Sequence, residues 1–481
     1  MPSNTSASPQ TTSASAAPVS VTPWKACTDE DLKGLECADV SVPLDYANPQ
    51  GEKITLAISR RAHKGSDFKG VVLTNPGGPG GLGRTVPNSA ANLPNNVGDS
   101  FDWIGVDIRG VGGSKPQVSC IPDYFATPQP VFRPGDDAAT QKWIERVNAY
   151  AQACKTSDGF KVLQHMTTLD NAKDLDSIRR ALGVDKVHFW GTSYGTYLGQ
   201  VFMTQYPQHV DRVVLDSVAD PNKGWYQSNL DQNVAVTKSF RVFLEWVAKN
   251  PNMFHLGTDA DAIERKTFAK IDELAAKPPA GAGSSELIAS LIKAAYGVGY
   301  WPMNGQLLDV VLNKNDLQGL DEGKDPNPSD NSYAAYLGVE CSESTWPDIQ
   351  TMIADARRLE PENQLMTWSN TWLNGPCATW PVPAKSLTAV DGATFDKPFL
   401  MIGETLDGAT PFSDALAVRD RFASARLVEG KNGSTHSSAF SASPCVLDTI
   451  AAYLTTGDVP ARAAGSVADK ECPAVAPLPT S

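Results

Sequence analysis

The sequence predicts an α/β fold: a mostly parallel sheet with helices on both faces, interrupted by a large, mainly helical insertion. Three observations carry this expectation. From about residue 40, short β-branched runs alternate with stretches at helical spacing, as in strands joined by crossover helices. The runs Gly70–Thr74 (GVVLT) and Asp102–Asp107 (DWIGVD) are near-continuous apolar segments, as expected of strands buried on both faces. Between about residues 220 and 393 the strand signals fade and long helical patterns replace them.

Taken in order, Lys53–Arg61 (KITLAISRR) alternates apolar and polar residues and reads as a half-buried strand. Leu169–Leu182 (LDNAKDLDSIRRAL) has apolar residues at helical spacing and ends at Gly183, a helix stop. Lys186–Trp190 (KVHFW) is a strand, Gly195–Tyr206 a helix stopped before Pro207, and Arg212–Leu215 (RVVL) a strand again. The insertion carries helical patterns at Asn233–Lys249 and Ala260–Ala276, a Pro/Gly/Ser-rich break at Lys277–Ser285, and seven of the 11 tryptophans. Lys397–Ile402 (KPFLMI) and Ala425–Glu429 (ARLVE) resume the sheet. The expected division is therefore a leader at 1–22, the first part of the core at 23–219, a helical lid at 220–393 and the rest of the core at 394–481. No internal repeat is visible.

The 481 residues suffice for a large core and more than one folding unit. A net charge of −13 argues against nucleic-acid binding, which needs basic surface to neutralise phosphates. No apolar run reaches the length of a membrane span. The leader is Ser, Thr, Ala, Pro, Gln and Asn almost throughout, so it cannot bury apolar area and is expected to be disordered. It lacks the basic start and apolar segment of an export signal. Such tracts follow cleaved signals, so we expect Met1 to stand where an export signal has been removed. Eight cysteines without a C-x-x-C pair favour four disulfides in a secreted chain over a metal site. The expected pairing is sequential: Cys27–Cys37, Cys120–Cys154, Cys341–Cys377 and Cys445–Cys472.

The chemistry begins at Gly191-Thr192-Ser193-Tyr194-Gly195, a G-x-S-x-G between a strand and a helix. In that context the motif is a sharp turn that lifts a nucleophilic hydroxyl above the sheet. A serine hydroxyl needs a base to take its proton. Of the histidines after Ser193, His209 comes before the next strand and leaves no room for an intervening acid. His255 lies in the lid, where a packing or surface role suits it better. His436, in Gly430–Ser438 (GKNGSTHSS) just after the strand ARLVE, is the expected base. The acid that orients it should end an earlier strand. Asp407, in the loop after KPFLMI, is the first choice and Glu404 its rival. Asn75-Pro-Gly-Gly-Pro-Gly-Gly81 follows the buried strand GVVLT. Its backbone is expected to supply one oxyanion donor at Gly78, and Tyr194 the other. No G-K-[ST] follows, so the loop is not a P-loop.

These residues resemble the tripeptidyl aminopeptidase family of secreted bacterial α/β-hydrolases, related to the proline iminopeptidases. The resemblance runs over nearly the whole chain after the leader. It is carried by Val42-Pro-Leu-Asp-Tyr46, the NPGGPGG loop, Asp107-Ile-Arg-Gly-Val-Gly-Gly-Ser114, Asp174-Leu-Asp-Ser-Ile-Arg179, GTSYGT, and Val213-Val-Leu-Asp216 with Asp220-Pro221. It continues through Leu406-Asp-Gly-Ala-Thr-Pro411, the His436 loop, Cys445, Tyr453-Leu454 and Cys472. It implies an α/β-hydrolase fold, an extracellular location and the triad Ser193, Asp407 and His436. The family's usual Gly-His pair is here Ser434-Thr435-His436. The resemblance further implies lid carboxylates that bind a substrate's free amino group. The candidates are Glu340 and Glu343 in Val339-Glu-Cys-Ser-Glu343, and Glu343 better matches the family's acidic position after the cysteine. A solvated acidic loop is the alternative for that segment.

The leading expectation is a secreted, monomeric serine exopeptidase. It would release short peptides, tripeptides foremost, from free N-termini through an acyl-enzyme, with no metal and no cofactor. The rival is an esterase or amidase acting on small lipophilic substrates with the same triad. A silent binding protein on this fold is disfavoured because all three triad members are present.

Overall fold

The structure, a computed structural model, describes residues 20–322, 329–439, 443–475 and 477. The expected leader lies almost wholly outside the described residues.

One ten-stranded sheet organises the chain. Its strands are β1 (Lys25–Ala26), β2 (Glu36–Pro43), β3 (Lys53–Arg61), β4 (Val71–Asn75), β5 (Asp102–Val106), β6 (Val187–Thr192), β7 (Val210–Asp216), β8 (Phe399–Glu404), β9 (Ala425–Lys431) and β10 (Lys470–Pro473). The spatial order is β1-β2-β3-β5-β4-β6-β7-β8-β9-β10. β1 pairs antiparallel with β2, β2 with β3, and β3 with β5. From β5 to β10 every pairing is parallel. The central strands β4, β6 and β8 are buried along their whole length, because crossover helices cover both faces. Strands β1, β2 and β10 were not anticipated. In β2 the signal was present, since Ala38, Val40 and Val42 are buried with exposed residues between them; β1 and β10 are too short to show a period.

The helix Thr168–Ala181 opens on Thr167, whose side chain accepts from the Asp170 N–H, and it packs against the helix Tyr194–Gln205. Between β7 and β8 no strand occurs among the described residues, and helices replace them. The first runs over Trp225–Ala248. It begins eight residues before the periodic stretch at Asn233, because its polar first turns are anchored by buried Trp225 rather than by a repeating apolar face. After the short helix Pro251–Phe254 comes Ala260–Ala276, capped by Asp259. These helices build their own core, including Val236, Phe240, Phe243, Leu287, Leu291 and Trp301. It is separate from the sheet's core.

Four disulfides join Cys27–Cys37, Cys120–Cys154, Cys341–Cys377 and Cys445–Cys472, the sequential pairing. The third ties the end of the helix Asp330–Glu343 to the short turn Gly375–Thr379. Among the described residues no helix is long and apolar enough to cross a membrane.

Candidate active site

Ser193 stands between β6 and the helix Tyr194–Gln205, at φ 56° and ψ −127°. A non-glycine residue at positive φ stores strain, which the surroundings must hold in place. Here the Ser193 N–H donates to the Asp216 carbonyl at 2.9 Å. Its own carbonyl accepts from the Thr196 N–H and hydroxyl at 2.8 and 2.7 Å. The neighbouring chain passes so close that side chains would collide. A Cβ on Gly77 would lie 2.4 Å from the Thr192 carbonyl oxygen, and one on Gly195 would lie 2.5 Å from that of Asn75. The G-x-S-x-G pattern and the glycine loop after β4 therefore fit each other.

His436 sits in the loop after β9. Its Nδ1 lies 2.9 and 3.0 Å from the two Asp407 carboxylate oxygens. Asp407 also accepts from the Ala409 and Thr410 N–H groups at 2.8 and 3.0 Å, and from the Thr410 hydroxyl at 3.1 Å. Burial alone would raise the Asp407 pKa, but the His436 charge and these hydrogen bonds outweigh it and hold the carboxyl below its ordinary value. Burial likewise opposes protonation of His436, yet the Asp407 charge and hydrogen bond hold its pKa above the ordinary imidazole value.

Ser193, His436, Gly78, Tyr194 and Glu340 line one cavity of about 330 Å³. Tyr296 lines it too; its carbonyl accepts from the His436 N–H at 2.8 Å, and its ring meets the imidazole edge-on at 5.6 Å between centroids. Trp225 is the one tryptophan among the described lining residues. Other insertion tryptophans turn their indole N–H to backbone carbonyls, as Trp301 does to Ala294 and Trp346 to Glu340.

The two carboxylates of the insertion, Glu340 and Glu343, part company. Their segment is the buried last turns of the helix Asp330–Glu343, not a solvated loop. Glu340 faces the cavity, and its Oε2 accepts from the Asn229 amide at 3.1 Å. Burial pushes its pKa up to about 8, against the pull of Tyr336 and Asn229. Glu343 does not line the cavity. It accepts from the Thr168 N–H and from the Thr168 hydroxyl at 2.8 Å. That hydroxyl lies 2.9 Å from the Tyr194 hydroxyl. The two residues stand three positions apart on one side of a single helix, yet only Glu340 lines the cavity, so the preference for Glu343 drawn from sequence position is not matched by its placement.

Glu404, the rival acid, is at the end of β8 but does not meet the imidazole ring. Its carboxylate accepts from the N–H groups of Thr435 and Val475 at 2.5 and 2.8 Å, and burial lifts its pKa to about 7. Asp216, raised by burial to about 6, accepts from the Ala439 N–H at 2.9 Å. Sequence reasoning missed these two supports of the histidine loop; the signal was an acidic residue ending each of two buried strands.

This architecture, a strained serine turn at the end of a central parallel strand with the imidazole loop three crossovers later, is that of the α/β hydrolases. A family model described as alpha/beta hydrolase fold matches residues 70–305, and one described as TAP-like protein matches residues 363–472. The tripeptidyl aminopeptidase of Streptomyces lividans is 37% identical over 461 residues, covering 91% of this chain and 85% of its own. The serine protease Hip1 of Mycobacterium tuberculosis is 28% identical over 470 residues, covering 91% and 89%. Carboxylesterase B of M. tuberculosis is 28% identical over 467 residues, covering 91% and 88%. The chain belongs to the tripeptidyl aminopeptidase family and is a serine peptidase.

Proposed function

We propose that the protein is an exopeptidase that removes short peptides, tripeptides foremost, from free N-termini. The observation that carries this reading is the Glu340 carboxylate in the same cavity as Ser193 and His436. A buried carboxylate in the wall of a small cavity is a counter-charge for a substrate ammonium, and an ammonium held there limits how many residues precede the scissile bond. The name of the Streptomyces lividans relative supports the same activity.

In this reading the Ser193 hydroxyl attacks the scissile carbonyl carbon as His436 Nε2 takes its proton. The carbonyl oxygen becomes an oxyanion, held by the N–H groups of Gly78 and Tyr194. His436 then protonates the leaving amine, the carbon–nitrogen bond breaks and an acyl-enzyme remains. Water, deprotonated by His436, attacks the ester and restores Ser193. Asp407 keeps the imidazole oriented and offsets its positive charge. Glu343 acts at one remove, holding Tyr194 through Thr168. The segment 220–393 serves as the lid over the cavity, and the enzyme works as a monomer. Four disulfides support a secreted protein, because such bridges persist in oxidising compartments.

The test compares hydrolysis of Ala-Ala-Pro-p-nitroanilide with that of its N-acetylated form, in wild type and Ser193→Ala. Cleavage of the free peptide alone, abolished in the variant, is the expected result. Hydrolysis of short acyl esters with neither peptide cleaved would replace the exopeptidase with an esterase, an activity that the name of the M. tuberculosis carboxylesterase relative keeps in play.

A further inference from the structure

A second, larger cavity of about 910 Å³ adjoins the first. The two share Tyr296, Met366 and Leu373 as a common wall. The larger one presents mostly apolar surface, from Tyr124, Phe125, Phe132, Trp143, Ile292 and Trp372 among others, with Asp123, Glu286 and Lys293 also in its lining. Its size and apolar lining are those of a ligand site rather than a packing defect. Its floor is rigid. Asp330, at the start of the helix that carries Glu340, accepts from the Cys120 N–H at 2.7 Å and the Tyr150 hydroxyl at 2.5 Å, and Cys120 is bridged to Cys154.

We infer that this compartment receives the part of the peptide substrate that follows the scissile bond, and that it favours apolar and aromatic residues there. The inference rests on the exopeptidase reading above. In such an enzyme the acyl side of the substrate ends at its ammonium, and Glu340 lines the smaller cavity but not the larger. The leaving side is a polypeptide of any length and needs room beyond the reacting centre. The imidazole that protonates the leaving amine marks that side. Tyr296, which packs edge-on against the His436 ring, is also a wall of the larger cavity. Aromatic surface of this kind binds side chains by burying apolar area and by edge-to-face contact.

The experiment measures kcat/KM for three substrates: Ala-Ala-Pro-p-nitroanilide, whose leaving group is small, and the hexapeptides Ala-Ala-Pro-Phe-Phe-Ala and Ala-Ala-Pro-Gly-Gly-Ala. The enzymes are wild type, Ala289→Trp and Phe132→Ala. Ala289 is an exposed helix position on the cavity wall, so the larger side chain adds bulk without disturbing a core. We expect wild type to prefer the Phe-Phe hexapeptide over the Gly-Gly one about tenfold, as one well-buried side chain provides. Ala289→Trp should lower kcat/KM for the Phe-Phe hexapeptide about tenfold relative to the p-nitroanilide. Phe132→Ala should narrow the preference between the hexapeptides. Equal handling of the hexapeptides, or variants that change all three substrates alike, would overturn the inference while leaving the exopeptidase reading intact. Failure of wild type to cleave the free p-nitroanilide would overturn both.

Discussion

The carboxylate of Glu404 accepts the backbone N–H of Thr435, the residue before His436, while its other oxygen accepts the N–H of Val475. The loop that carries the imidazole is therefore tied to the end of β8 on one side and to the chain beyond β10 on the other. The next N–H groups are held as well: His436 by the Tyr296 carbonyl, Ser437 by the Ser217 hydroxyl at 2.8 Å and Ala439 by Asp216. Two donors face the two Glu404 oxygens, and glutamine offers one acceptor and a conflicting NH2. Glu404→Gln should thus lower kcat about tenfold with little change in KM, since a small misplacement of a base is costly. Thermal unfolding should show a loss of about 1–3 kcal/mol for the unsatisfied buried donor. An unchanged kcat would remove the role of this tie.

Replacing the partner of the imidazole should act on catalysis and not on binding. Asp407→Asn keeps the shape but can present an N–H to His436 Nδ1, selecting the wrong tautomer. A fall in kcat of about 10⁴-fold is expected, with KM within a few-fold of wild type. Steady-state kinetics on the free p-nitroanilide would check it, with circular dichroism to establish the fold.

Glu340→Gln should raise KM for free N-termini by about 10- to 100-fold, the loss of a paired buried charge. It should also stabilise the enzyme at alkaline pH. Burial lifts the Glu340 pKa from 4.5 to about 8. The unfolded chain ionises first, so this group's contribution is fully present below about 4.5 and is lost as pH rises towards about 8. Glutamine carries no such charge, so the variant's Tm should exceed that of wild type at pH 8 and approach it near pH 5. A variant no more stable at pH 8 would contradict the burial of a charge at this position.

The pH profile follows from the same groups. His436 must be neutral to act as base, and Asp407 holds its pKa above the ordinary value, so kcat should rise with pH through a point above 6.5. Glu340 must be ionised to hold an ammonium, which requires pH near or above 8 in the empty site. The substrate amine itself loses its charge near pH 8. kcat/KM should therefore be bell-shaped with an alkaline maximum, and Glu340→Gln should flatten it while leaving the acid limb of kcat in place. A maximum below pH 6 would rule out this assignment.

The Cys341–Cys377 bridge closes a 36-residue separation next to Glu340. Cys341→Ser with Cys377→Ser should cost about 2–4 kcal/mol of stability and raise KM for free N-termini more than for short acyl esters. Chemical denaturation and the ratio of the two KM changes would test this.

Read alone, the sequence determined the features that depend on a few neighbouring residues. Strand identities from β3 to β9, and the helices at 168–181, 194–205, 260–276 and most of 225–248, follow from local periodicity, whereas the helix Asp137–Thr156 was not anticipated. The turn at Ser193 follows from the glycines that flank it, because a sharp strand-to-helix turn demands close backbone approach wherever it occurs. Chain order narrowed the histidine to His436 and left Asp407 and Glu404 as rival acids. Tertiary structure alone decided which rival meets the imidazole, since both end the same strand region and only packing turns one side chain to the ring and the other to the loop backbone. It likewise separated Glu340 from Glu343: side chains three positions apart stack on the same side of a helix, and which of the two reaches the cavity depends on what each end of that stack is packed against. The second cavity left no local trace, because its walls come from segments far apart in the chain that share no pattern until the helical insertion packs against the rest of the chain.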